Sequence, residues 1–171
     1  GSSIYCKQVK SMRNCLALTL LLLITVTAQS QISLLGQTTK EQESNFYVTS
    51  SLLFVSGLAD GLAEASKFHP KGVTEVFGNP QFWDNSLSWR NKYRNGDPSQ
   101  GAKFPLSTTA LAWTTDGYHL SRMIRNTTMI IGLTITLNEP LRKWYYYIIE
   151  GVIYYIVYTT GFNLSYDIIF K

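Results

Sequence analysis

Apolar residues gather along this chain into four blocks, each followed by a polar or turn-forming stretch. The first, CLALTLLLLITVTA (residues 15–28), has 14 residues behind a basic Arg13. Val26 and Ala28 stand third and first before a cleavage point at Gln29. This is the layout of a signal peptide starting at Met12, with residues 1–11 as an upstream extension. A spanning helix needs about 20 apolar residues, so removal of the leader is expected. An uncleaved first membrane helix is the alternative, because residues 32–35 are apolar too. Residues 29–45 then read as a polar linker to a single helical membrane domain, residues 46–171.

The second block, FYVTSSLLFVSGLADGLAEASKFH (residues 46–69), predicts a helix that Pro70 stops. Ser56, Asp60 and Glu64 recur at i, i+4 and i+8, hence on one face. Beside that face Gly57 and Gly61 form a GxxxG motif, which lets another helix approach closely. Residues 71–103 lose periodicity and predict an ordered loop, with turn chemistry at Pro80, Asn95-Gly96, Asp97-Pro98 and Gly101. The loop's Trp83, Trp89 and Tyr93, with Arg90, Lys92, Arg94 and Lys103, have the composition of an interfacial belt on the cytoplasmic side. A third block runs to Leu137; Pro105 suits its first turn, and Gly117 marks an expected break. The last block contains WYYYIIEGVIYYIVYTTG. Its β-branched and aromatic content would also suit a strand. Strict alternation is absent, so the prediction is a spanning helix anchored by Arg142, Lys143 and Trp144, with Glu150 facing inward.

Composition sharpens this picture. Charged residues make up 15% of the chain, against about 25% in a typical soluble domain, so little of the surface is built for water. The net charge of +4 includes Lys7, Lys10 and Arg13 ahead of the first block. Without them 12 basic residues face 11 acidic ones. No Lys/Arg stripe with interleaved aromatics is present, which argues against nucleic acid as a partner. Cys6 and Cys15 build neither a disulfide framework nor a CxxC clip.

The chemistry to be tested lies in the ionisable residues of the apolar blocks. Asp116 and His119 are i, i+3, and Arg122 continues the row, so the three are expected to lie together. Asp60, Glu64, Asp116 and His119 form the candidate acid–base set, with His119 as proton carrier. The same four residues with His69 form a candidate ligand set for a divalent cation, although no HExxH, HxxxH or P-loop spacing is present. Ser56 or Ser107 serves as nucleophile only if folding brings it to the imidazole. The competing reading is a structural polar network.

The run NPQFWDNSLSWRNKYRNGDPSQGAKFPLSTTALAWTTDGYHL (residues 79–120), with GLADG at residues 57–61 and GFNLSY at residues 161–166, resembles a family of small uncharacterised proteins from Bacteroidetes-type bacteria and their phages. The resemblance covers most of residues 46–166 and implies a helical membrane protein; it brings no activity with it. The leader departs from the family's pattern.

The expectation is therefore an all-α, polytopic membrane bundle of about three to four helices, with an interfacial loop closing over a polar centre. That centre is expected to bind a lipid headgroup, ion or proton, in the inner membrane of a bacterium, with hydrolase or transferase chemistry as the sharper version. The alternatives are a non-catalytic envelope accessory subunit that meets a partner helix through Gly57 and Gly61, and a β-rich outer-membrane protein.

Overall fold

The computed structural model describes residues 40–171, and the expected leader and residues 29–39 of the linker lie outside them. The described chain is all-α: it holds no strand, only an isolated antiparallel bridge between Tyr93 and Ala102. The β-rich alternative is thereby removed for these residues.

Helix α1 (Lys40–Phe68) is the central element and packs against both of the other long helices. It starts six residues ahead of Phe46, taking in the end of the stretch expected as linker. Glu41 and Glu43 in the first turn and Lys67 in the last complement the helix dipole. Burial of Gln42 and Phe46 ties down this early part. Pro70 ends α1 as expected but also opens α2 (Pro70–Phe77), whose Val73 is fully buried against Ala65 and Phe170.

What the sequence suggests as one loop is a chain of short helices. They are α3 (Pro80–Trp83), α4 (Asn85–Ser88) and 3₁₀ turns at Trp89–Lys92, Arg94–Gly96 and Pro98–Gln100. Asp84 and Asp97 each cap the turn that follows, accepting from the backbone N–H of Ser86 and of Ser99 at 2.9 Å. Asn95 (φ 51°) and Gly96 (φ 73°) supply the left-handed backbone of the turn.

The third block is shorter than its pattern implied. Pro105 lies in a turn, not at a helix start, and helix α5 begins only at Gly117 (Gly117–Leu137). Asp116 is its N-cap, with extended backbone (φ −153°, ψ 155°). The physical reason for the late start is the Thr/Ser-rich stretch 107–115, whose hydroxyls bond local carbonyls: Thr109 to Leu106, Thr114 to Leu111 and Thr115 to Ala112. Helix α6 (Trp144–Asn163) is the helix that the absence of strict alternation predicts, and it continues into a wide π-helical turn, Leu164–Ile169.

The interior of the bundle is built mostly from small side chains, with Phe46, Tyr146 and Phe170 as buried aromatics. Among the described residues the largest fully buried ones are Val73, Val157 and Asp116, followed by serines such as Ser56, Ser66 and Ser121. Large apolar side chains point out instead: Leu133 is 59% exposed, Ile130 64%, Trp144 72% and Leu137 75%. By length and apolar composition α1 is the one described helix that qualifies as a membrane span.

The GxxxG face is filled from within the chain. A Cβ at Gly57 would collide with the backbone carbonyl of Tyr158, and one at Gly61 would lie 2.5 Å from that of Phe162. Gly161 reciprocates from α6, its Cβ position falling 2.5 Å from the carbonyl of Phe54. In this fold the face expected to serve a partner helix meets α6.

Candidate functional site

Three polar clusters occupy the bundle, and Asp60, Glu64, Asp116 and His119 divide between two of them. The first is the start of α5. Asp116 is fully buried. Its Oδ1 accepts the His119 N–H at 2.8 Å as an N-cap, and the His119 Nδ1 lies 2.8 Å from both carboxylate oxygens. Facing a carboxylate, Nδ1 is the donor in the neutral ring, which leaves Nε2 as the acceptor. The imidazole is 37% exposed, so one edge is held and the other is open.

The loop fixes this arrangement from above. Asn91 donates through Nδ2 to the carbonyls of Gln81 (2.7 Å) and Thr115 (3.0 Å), and Gln81 Nε2 donates to Asn91 Oδ1 (2.8 Å). Trp83 lies so close over Gly117 that a Cβ there would enter its ring. Trp83 in turn stacks on Phe77 with centroids 4.8 Å apart. A polar pocket of about 250 Å³ opens beside Thr115, lined by Asn79, Gln81, Asn91, Lys103 and Thr114 among others. Neither Asn91 nor Gln81 stood out in the sequence; the signal available was their place among tryptophans in a turn-rich stretch.

The second cluster joins the three long helices. Asp60 of α1 takes Arg125 of α5 at 2.8 Å on Oδ1, and Tyr158 of α6 donates to its Oδ2 at 2.6 Å. Arg122 stands 3.6 Å from Asp60 and 4.0 Å from Glu64. Arg122 thus turns to α1 instead of completing the expected row with Asp116 and His119. Ser56 donates to the Arg125 carbonyl at 3.1 Å, and Ser107 to the Lys92 carbonyl at 2.7 Å. Both hydroxyls are committed to backbone acceptors, not to the imidazole.

His69 belongs to neither cluster. Its ring packs on Tyr166 with centroids 5.1 Å apart, at the corner between α1 and α2. Among the described residues no three His, Cys, Asp or Glu side chains are grouped to hold a metal ion. The physical reason is charge pairing: Asp60 and Glu64 face guanidinium groups, while Asp116 is occupied by His119.

A third cluster was not anticipated as a unit. Arg142, expected at the membrane boundary, is folded inward and grips Glu150 with both terminal nitrogens, at 2.6 and 2.7 Å. Glu139 approaches the same guanidinium at 2.8 Å. All three side chains are at most 7% exposed. The clue lay in how few charges the stretch 126–166 carries: Glu139, Arg142, Lys143 and Glu150.

Two carboxylates share one cation here, and the effect falls on Glu139. Burial, the largest cause, pushes its carboxyl above the usual range, with Arg142 opposing and Glu150 adding to the rise. A raised folded-state value means that the folded chain takes up the proton more readily than the unfolded one. The contribution to stability is present below the unfolded value and lost as pH rises through the folded one. Glu139→Gln is therefore expected to raise Tm at pH 7, with the gain vanishing below about pH 4, where both chains are neutral at this position. Paired thermal melts across that range check it.

No protein-family model, curated protein or solved structure matches the chain.

Proposed function

We propose that this chain is a membrane protein whose helices α1, α5 and α6 lie in the bilayer, and whose Asp116–His119 pair forms a headgroup-binding site at the water boundary. The observation that carries the membrane reading is the inverted distribution of side chains. Glycine, alanine and hydroxyl side chains fill the helix contacts, while Ile, Leu and Trp face outward. In water such a surface costs free energy over its whole area; in lipid it is the expected one, because acyl chains are as apolar as leucine. The ionisable groups pair inward, which is how a membrane interior tolerates them. The sequence resemblance to a helical membrane family agrees with this reading, which carries an inner-membrane location with it.

Support for the site comes from its asymmetry. A buried carboxylate orients an imidazole whose other edge is open, and a pocket with amide donors and Lys103 lies beside Thr115. The pocket lining suits a polar, phosphate-bearing headgroup, Lys103 supplying a point charge and Asn79 and Gln81 amide donors; the Asp116–His119 pair does not line it but adjoins it through Thr115, and in this reading His119 relays a proton. In the catalytic version His119 takes a proton from water, since neither Ser56 nor Ser107 is presented to it.

Glycerol phosphate titrated into the detergent-solubilised protein tests the site by ligand-observed NMR. His119→Ala and Lys103→Ala are each expected to weaken binding at least tenfold with the helical circular dichroism unchanged. Equal binding by both variants would sink the headgroup reading. Collapse of His119→Ala, with Lys103→Ala binding normally, would make the Asp116–His119 pair a structural cap.

A further inference from the structure

One row of polar side chains joins the second polar cluster to the third. On α6, Glu150, Tyr154 and Tyr158 recur every four residues and so share a face. Short contacts fix the two ends of the row: Glu150 takes Arg142 at 2.6 Å, and Tyr158 donates to Asp60 at 2.6 Å. Between them Tyr154 turns its hydroxyl toward Thr136 of α5 and Thr49 of α1. The Thr49 and Ser50 hydroxyls are buried there without a protein hydrogen-bond partner. We propose that this row is a proton relay across the bilayer, with Glu139 at one end and Asp60 and Glu64 at the other.

The span of the row matches the task. Asn45, which hydrogen-bonds Glu139, and Glu64 lie 19 residues apart on α1, about 29 Å at 1.5 Å per residue. The hydrocarbon core of a bilayer is about 30 Å thick, and in this respect the inference rests on the membrane reading. Ionisable groups held inside a membrane are the usual stations of a proton path. Glu139 faces Glu41 of α1 and Glu150 of α6 with a single cation, Arg142, between them. That excess of carboxylate favours uptake of one proton. At the other end Glu64 is 27% exposed, one turn from the end of α1, which gives the proton a way out to water. Arg122 stands 3.6 Å from Asp60 and 4.0 Å from Glu64, too far to hydrogen-bond either.

Each transfer breaks one O–H bond and forms another. Tyr154 accepts a proton from Glu139 on its oxygen as it gives up its own, and Tyr158 repeats the exchange, passing its proton to Asp60. Both phenols end as they began, one proton has crossed, and nothing is oxidised or reduced. Successive phenols are one turn apart, about 6 Å along the axis. One water bridges such a step, and the Thr49 and Ser50 hydroxyls are the partners it needs.

The test uses the full chain in liposomes that enclose pyranine, with a potassium gradient and valinomycin to set the potential. Proton uptake well above that of protein-free liposomes is expected. Tyr154→Phe, which removes one oxygen and keeps the ring, and Glu139→Gln are each expected to slow it at least tenfold. Glu139→Gln is also expected to be the more stable chain, so unfolding does not explain its loss. Tyr155→Phe, on a residue 70% exposed and outside the row, is expected to leave the rate unchanged. Parent-like uptake by Tyr154→Phe and Glu139→Gln, or an equal loss in Tyr155→Phe, overturns the relay. Liposome flotation separates this failure from that of the membrane reading. A chain that floats but moves no more protons than bare liposomes rejects the relay and leaves the membrane assignment standing. A chain that does not float removes both.

Discussion

A Gly57→Leu chain loses the pairing of α1 with α6 and does not reach the native fold. The Cβ of any residue at this position would occupy the space of the Tyr158 carbonyl, and the backbone nitrogen of Phe162 lies only 3.0 Å away. Opposing groups that belong to backbone cannot swing aside as a flexible side chain does. Overpacking costs about 1–3 kcal/mol when side chains can rearrange, so the loss here is expected to exceed about 3 kcal/mol. Gly57→Ala shows the same sign at lower amplitude. The contrast is Gly151, on the outward side of α6 with nothing within 4 Å of its Cβ position. There Gly→Leu gains up to about 1 kcal/mol of helix propensity. Thermal melts of the three variants in one detergent decide the matter: if Gly57→Leu melts with Gly151→Leu, the close approach of the helices is wrong.

Arg142→Ala is expected to be almost as severe, by about 3–5 kcal/mol, because it abandons two buried carboxylates and not one. The cost comes from stranded charge, not from a lost bond, and that distinction is measurable. A chain carrying Glu139→Gln, Arg142→Met and Glu150→Leu together has no charge left to strand. It should melt near the parent temperature or above it. If the triple variant is as unstable as Arg142→Ala, shape and not charge governs the site.

Much of this architecture was legible in the residues, and the reasons for the failures are specific. The apolar blocks marked α1 and α6, and Gly57 and Gly61 marked a place of close approach. The expected contact of Asp116 with His119 is there, but it is made by capping: Asp116 lies just outside the helix with extended backbone, and its carboxylate takes the His119 N–H and ring. The expected row failed at Arg122, whose preferred partners lie on another helix. Tyr158 and Asp60 are 98 residues apart, and no local pattern announces such a bond. The start of α5 falls at Gly117, where a break is expected; what fails is the helix expected from Pro105 up to it. The Thr-rich stretch before it has acceptable helix formers, but its hydroxyls satisfy local carbonyls more readily than they support a helix. Arg142 looked like an anchor because it borders a hydrophobic run; only the turn through Pro140 shows that its side chain can reach back to Glu150.

The 98 residues between Asp60 and its phenolic partner also have a consequence in time. At about 5–20 residues per second, the ribosome needs roughly 5–20 s to make Tyr158 after Asp60. Throughout that interval the central helix exists without the last helix that covers its glycine face. The Asp60 carboxylate gains Arg125 once α5 is made, but the small-residue seam of α1 stays open until α6 follows. Slowing the ribosome between α5 and α6 is therefore expected to raise the yield of misassembled chain more than slowing it anywhere earlier.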